Sequence, residues 1–192
     1  MNKKQWKRLV KAAPYAQLLA KGNVLYNTKK KQLEAVKENW AAIKFIYNPD
    51  KDVQLEAVKQ DAWAIMFIRN PSKDIQLEAV WRNSHVIQFI TNPSKDVQLE
   101  AVKQDGNAIK YISNPDKDIQ LAAVKQDGWA VRFIPNPDKD IQLAAVKQSK
   151  DAIKFIRNPN KDVVIHCLLS IPQAAQLLQD PSYDLKWEKE NE

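Results

Sequence analysis

Apolar and polar positions along this chain follow one pattern that repeats every 22 residues. Its clearest copy is 117–138, KDIQLAAVKQDGWAVRFIPNPD. The same text restarts at Lys51, Lys73, Lys95 and Lys139, with a looser copy from Lys29 and a degraded one from Lys161. A fixed period of this length is the signature of like units stacked in a row. Within the unit, Ile119, Leu121, Ala123 and Val124 cover a broad arc of a helical wheel, as a helix wedged between neighbours requires. The pattern predicts a first helix over 119–126, with Asp116 as its N-cap and Asp118 in its first turn, where a carboxylate suits the helix dipole. Asp127 fits a second N-cap, a slot held elsewhere by Asn39, Asp61, Asn83, Asp105 and Ser149. The predicted second helix, 128–135, turns Ala130, Val131, Phe133 and Ile134 to one side. Asn136-Pro137 ends it, because proline disfavours helical geometry in the residue before it.

Isolated helices shorter than about 12–15 residues are marginal in water, so neither segment stands alone. The units must lean on one another, which predicts an all-α fold: an α-solenoid of about seven two-helix repeats with divergent N- and C-terminal caps. A β-helix or leucine-rich coil of the same length would need strand alternation or a Leu-x-x-Leu-x-Leu pattern with many glycines. The chain has 3 Gly, and Gln-Leu-Ala-Ala-Val-Lys-Gln is built of helix formers. The expected organisation is a single repeat domain over 1–192, with a basic cap at 1–28, repeats at 29–182 and an acidic tail at 183–192.

The segments IQLAAVKQD and VRFIPNP together resemble the variant leucine-rich repeats of bacteria, which pair an α-helix with a shorter, often 3₁₀, helix and close each unit with Asn-Pro. They are similar, too, to short helical repeats of unassigned function in bacterial and phage proteins. The resemblance covers roughly residues 29–182. It implies a right-handed superhelical scaffold and a bacterial or viral source, and it carries over no catalytic residue. A phage source would make inhibition of a host defence complex a fitting role.

Charge changes the picture at the two ends. Lys3, Lys4, Lys7, Arg8, Lys11, Lys21, Lys29, Lys30 and Lys31 all precede the first acid, Glu34, while the whole chain nets +7. The basic cap, above all Lys3, Lys4, Lys7, Arg8 and Lys11, is therefore a candidate docking patch for an anionic partner as well as a soluble end. Glu188, Glu190 and Glu192 make the opposite end acidic. Val164, Ile165 and Leu169 replace polar positions in the last unit and suggest that it is covered, by the tail or by another chain. A homo-oligomer through the terminal units follows as an option. Between the ends, Gln32, Gln54, Gln76, Gln98, Gln120 and Gln142 recur between apolar positions; a part-buried amide there needs a neighbouring loop to bond.

Positions that stay constant are those stacking demands, so a binding surface is sought among the variable ones. At spacings of i, i+4 and i+7 the second helix exposes Trp40, Lys44, Tyr47; Ala62, Met66, Arg69; Ser84, Gln88, Thr91; Gly106, Lys110, Ser113; Gly128, Arg132, Pro135; and Lys150, Lys154, Arg157. No acid falls on this stripe, whereas the first helix mixes Asp52, Glu56 and Lys59 with their equivalents. Trp63 and Trp129 add aromatic surface. Trp81 replaces a lysine found at Lys37, Lys59, Lys103, Lys125 and Lys147, and His85 lies one turn on, which marks the third unit for a specific contact.

A cationic ridge with aromatics suits the acidic surface of a protein partner, since Trp, Tyr and Arg are the usual anchors. Irregular spacing of Trp40, Trp63, Trp81 and Trp129 favours that partner over nucleic acid, which would want one aromatic per register. Nucleic-acid or nucleotide binding by the same ridge remains the alternative. Catalysis is not expected. Adjacent His166 and Cys167 point about 100° apart on a helix, and Cys167 occupies the small buried slot of Ala123 and Ala145. Two histidines give no metal-ligand spacing, and no Gly-rich loop exists to cradle a cofactor phosphate. With one cysteine, no run of 18 apolar residues and no apolar core in the first residues, the expected setting is the cytoplasm of a bacterial cell or phage-infected host, away from any membrane.

Overall fold

The structure, a computed structural model, describes residues 28–169. The basic cap residues Lys3, Lys4, Lys7, Arg8 and Lys11, and the acidic tail at 183–192, lie outside the described residues. Every regular element among the described residues is helical, and the elements alternate between α and 3₁₀. The α-helices are α1 (Lys29–Glu38), α2 (Lys51–Gln60), α3 (Lys73–Arg82), α4 (Lys95–Gln104), α5 (Lys117–Gln126), α6 (Lys139–Gln148) and α7 (Lys161–Leu168). Between them run the 3₁₀ helices η1 (Trp40–Phe45), η2 (Ala62–Phe67), η3 (Ser84–Phe89), η4 (Gly106–Tyr111), η5 (Gly128–Phe133) and η6 (Lys150–Phe155). The chain divides into two compact units, one ending at Gln104 and one beginning at Asp105. Within each, successive α-helices pack on each other and successive 3₁₀ helices do the same, the arrangement of an α-solenoid.

Each α-helix starts two residues earlier than the apolar pattern predicts, at Lys117 rather than 119 in the best copy, because Asp116 caps it by accepting from the Ile119 N–H at 3.0 Å. It stops at Asp127, whose extended backbone donates to Ala123 O at 2.9 Å. The same residue starts the next element: its carboxylate accepts from the Trp129 N–H at 2.9 Å, and its carbonyl accepts from Ala130. Asn39, Asp61, Asn83 and Asp105 cap in the same way, as predicted, whereas Ser149 makes no side-chain cap bond to its helix.

The second element is shorter than the predicted helix, and its geometry is the 3₁₀ form that the resemblance gave as frequent rather than the longer period used to draw its exposed stripe. It is a six-residue 3₁₀ helix, Gly128–Phe133, and not 128–135. At about 2.0 Å rise per residue six residues span about 12 Å, close to the ~15 Å of the ten-residue α-helix beside it. Ile134 leaves the helix in extended geometry, and Asn136 takes φ 51°, as Asn48, Asn70, Asn92 and Asn114 do at 49–52°. Asparagine reaches this left-handed region more readily than most residues, which gives the Asn-Pro exit a second structural reason.

The core is the strip shared by the two element types. Ile119, Ala123 and Val124 from α5 are fully buried, and Ala130, Val131 and Ile134 from the 3₁₀ side are at most 5% exposed. Each large aliphatic contributes about 1.5–3 kcal/mol by leaving water. Leu121 and Phe133, placed in the core by the sequence pattern, are half-buried. The glutamine ladder forms as expected. The side-chain amides of Gln54, Gln76, Gln98, Gln120 and Gln142 each donate to the proline carbonyl of the preceding loop at 2.8 Å. Gln142 also accepts from the Asn160 N–H in the following loop at 2.8 Å, so one side chain ties two loops.

A second ladder runs along the helix starts. Lys29, Lys51, Lys73, Lys117 and Lys139 pair with Asp52, Asp74, Asp96, Asp140 and Asp162, each one repeat further on. Exposed pairs of this kind contribute little singly. Among the described residues no helix is long and apolar enough to cross a membrane.

Candidate binding ridge

A 3₁₀ helix has 3.0 residues per turn, so residues three apart eclipse one another. The exposed face of each second element is therefore not i, i+4, i+7 but i+1, i+4, i+7. Ala62, Ser84, Gly106 and Gly128, predicted to be exposed, are buried, and Trp40 is half-buried. Their places on the ridge are taken by Ala41, Trp63, His85, Asn107, Trp129 and Asp151. In the first unit the ridge carries exposed Lys44, Tyr47, Trp63, Met66 and Arg69. In the second it carries exposed Lys110, Trp129, Arg132, Lys154 and Arg157. Asp151 corrects the expectation of an acid-free stripe: it pairs with Lys154, whose charge is thereby partly spent.

Three of the ridge cations are held over the aromatic ring that follows them. Lys44 lies 4.6 Å from the centroid of Phe45, Lys110 4.7 Å from Tyr111, and Arg132 4.6 Å from Phe133. Such contacts, worth about 0.5–1 kcal/mol at exposed sites, fix where the charge sits. The tryptophans are placed with equal care. Trp63 packs edge-on to Phe89 at 5.4 Å, Trp129 tilts against Phe155 at 5.2 Å, and Trp40 reaches Phe67 at 6.5 Å. Trp129 Nε1 also donates to Ser149 Oγ at 3.1 Å. These variable residues thus take part in stacking, contrary to the expectation that variable positions are free of it. Trp63 and Trp129 share one register position, whereas Trp40 and Trp81 each hold another.

Other predicted site residues separate. Trp81 is well exposed but lies on α3, beside the Arg82 guanidinium at 5.7 Å, and so outside the ridge. His85 is on the ridge, half-buried, its backbone N–H bonded to Asn83 Oδ1 at 3.0 Å. Cys167 is half-buried rather than buried like Ala123 and Ala145, and burial raises its thiol pKa. Val164 and Ile165 are half-buried, and Leu169 is exposed. Among the described residues no three His, Cys, Asp or Glu gather as a metal group.

Two features were missed by sequence reasoning. Asn107 donates to Asp127 Oδ2 at 2.7 Å and accepts from Arg132 at 3.0 Å, linking two repeats and orienting a ridge cation. Its signal was an amide at a position otherwise held by Ala, Trp, His or Asp. Arg132 and Arg157 also line a groove of about 640 Å³ together with Asn136, Asn158 and Phe155.

A family model described as "Domain of unknown function (DUF4116)" matches residues 94–137 and again 116–159. The two placements overlap by one repeat and together cover about a third of the chain, so these repeats are similar to a short repeat family whose function is unknown. No curated protein and no solved structure matches the chain.

Proposed function

We propose that the chain is a non-catalytic binding scaffold that engages the acidic surface of a partner protein through the 3₁₀ ridge, with the basic segment at Lys3, Lys4, Lys7, Arg8 and Lys11 as a further contact. The observation that carries this reading is the recurrence, at one register, of exposed cations seated on aromatic rings beside exposed Trp63, Met66 and Trp129. Pre-positioned side chains lose little freedom on binding, and Trp and Arg are the usual anchors of interfaces. Kinship with variant leucine-rich repeats is supported by the Asn-Pro exit and by the alternation of α and 3₁₀ helices. The shared register of Trp63 and Trp129 also supports a second reading, stacking of nucleic-acid bases on the same ridge.

Capture from nuclease-treated bacterial lysate separates the two. The chain should retain a protein at moderate salt and lose it when Lys44, Arg69, Lys110, Arg132 and Arg157 all become Glu. If capture disappears after nuclease treatment and affinity for a defined oligonucleotide falls steeply with salt, the nucleic-acid reading replaces it.

A further inference from the structure

The opposite side of the second unit differs from that of the first in a way the ridge does not explain. In the first unit, Glu56, Glu78 and Glu100 lie half-buried on the outer faces of α2, α3 and α4. Each is tied to the residue one turn on: Gln60 at 3.3 Å, Arg82 at 2.7 Å and Gln104 at 2.9 Å. In α5 and α6 the same positions are Ala122 and Ala144. With no carboxylate to hold them, Gln126 and Gln148 turn across the repeat and accept from the N–H groups of Gly106 at 2.6 Å and Gly128 at 2.7 Å. What remains between α5 and α6 is a groove of about 480 Å³, with Leu121, Leu143 and Ala144 as its apolar lining and Lys125 and Lys147 among its exposed residues. The acid that lines it, Asp140, is already bonded to Lys117 at 2.5 Å.

We propose that this groove is a second docking site, taking a short acidic, leucine-bearing helix of another protein. Charge complementarity selects the occupant. The two lysines stand at the same position of neighbouring helices, which pack about 8–10 Å apart, so two carboxylates about seven residues apart on a helix, ~10 Å, meet both ammonium groups. A leucine between them enters the apolar floor. A basic or purely apolar segment would leave both lysines facing like charge or covered without a partner.

The test uses the full chain and a fluorescein-labelled synthetic helix with a leucine face and two glutamates at that spacing, followed by fluorescence polarisation. The glutamate peptide should bind about tenfold more tightly than its glutamine twin. Lys125→Gln with Lys147→Gln should remove that preference, whereas Lys59→Gln with Lys103→Gln, an equal change in net charge on the first unit, should alter affinity less than about twofold. Ala122→Glu with Ala144→Glu, the residues the first unit carries there, adds two carboxylates and should weaken binding about tenfold. Equal losses from both lysine pairs would mean diffuse attraction and would overturn the groove. So would equal affinity for the two peptides.

Discussion

The second elements of the first unit begin with Trp40, Ala62 and Ser84, and the α-helices that follow them bear Glu56, Glu78 and Glu100. The first two of the second unit begin with Gly106 and Gly128, and the helices that follow bear Ala122 and Ala144, while the last begins with Lys150. The two changes belong together. A Cβ at Gly128 would collide with the carbonyl oxygen of Ala145 and press on Gln148, and one at Gly106 would meet Ala123 and Gln126 in the same way. Glycine therefore lets the next helix approach, and alanine on that helix releases the glutamine that bonds the glycine N–H. One position does different work along the chain: Gln60 and Arg82 brace their own helices, Gln104 braces its helix and also donates to Trp81 O at 3.2 Å, and Gln126 and Gln148 accept from the glycine N–H of the neighbouring repeat. Repeats alike in sequence are not interchangeable layers.

The sharpest way to break this contrast is at the glycines. Gly128→Ala should cost about 1–3 kcal/mol as the backbone shifts to admit the methyl. Ala62→Gly should cost only the backbone entropy, about 0.5–1 kcal/mol. Urea denaturation of the two variants checks the order, and equal losses would remove the close-approach account.

A smaller effect is expected at the glutamines. Gln148→Ala leaves the N–H of buried Gly128 without its acceptor and should lose about 1–2 kcal/mol. Gln60→Ala removes an exposed bond to Glu56 and should stay within about 0.5 kcal/mol. Hydrogen exchange at the Gly128 amide reads the difference directly, since its protection should fall in the first variant alone.

The smallest effect concerns what the units share, the Lys–Asp ladder. Lys51, with help from the Ser72 hydroxyl, holds the Asp74 carboxyl down to about 2 from 3.8. A lowered folded-state pKa means stability that is present above 3.8 and lost as pH falls toward 2. Asp140, then Asp138, pushes Lys117 up to about 12 from 10.5. That contribution is present below 10.5 and lost as pH rises through about 12. Carboxyl NMR titration should place the Asp74 midpoint near 2, and Lys51→Gln should return it toward 3.8. An unchanged midpoint in that variant would show that the ladder does not hold the carboxyl.

Much of the fold was legible in the residues. Asp127 announces the break between elements because a short carboxylate before an apolar run caps a helix, and Gln120 announces a bonded amide because it falls between apolar neighbours. The ridge was half legible. Lys44, Met66, Arg69, Lys110, Arg132, Lys154 and Arg157 are exposed as expected. The first position failed in four of the six triplets, since Ala62, Ser84, Gly106 and Gly128 are buried by a three-residue period where a longer one was expected; Trp40 is half-buried and Lys150 is exposed as expected.

The sequence by itself determined the period, the alternation of two helical elements, the caps at Asn39, Asp61, Asn83, Asp105 and Asp127, the Asn-Pro exits and the Gln ladder. Each is settled within a few residues by backbone sterics and local hydrogen bonds. Only the tertiary structure decided where the second element stops, that Gly106 and Gly128 face a neighbouring helix, and that Gln126 and Gln148 cross between repeats. The glycine and glutamine outcomes depend on how closely the carbonyls and side chains of a neighbouring helix approach, a contact about twenty residues away along the chain.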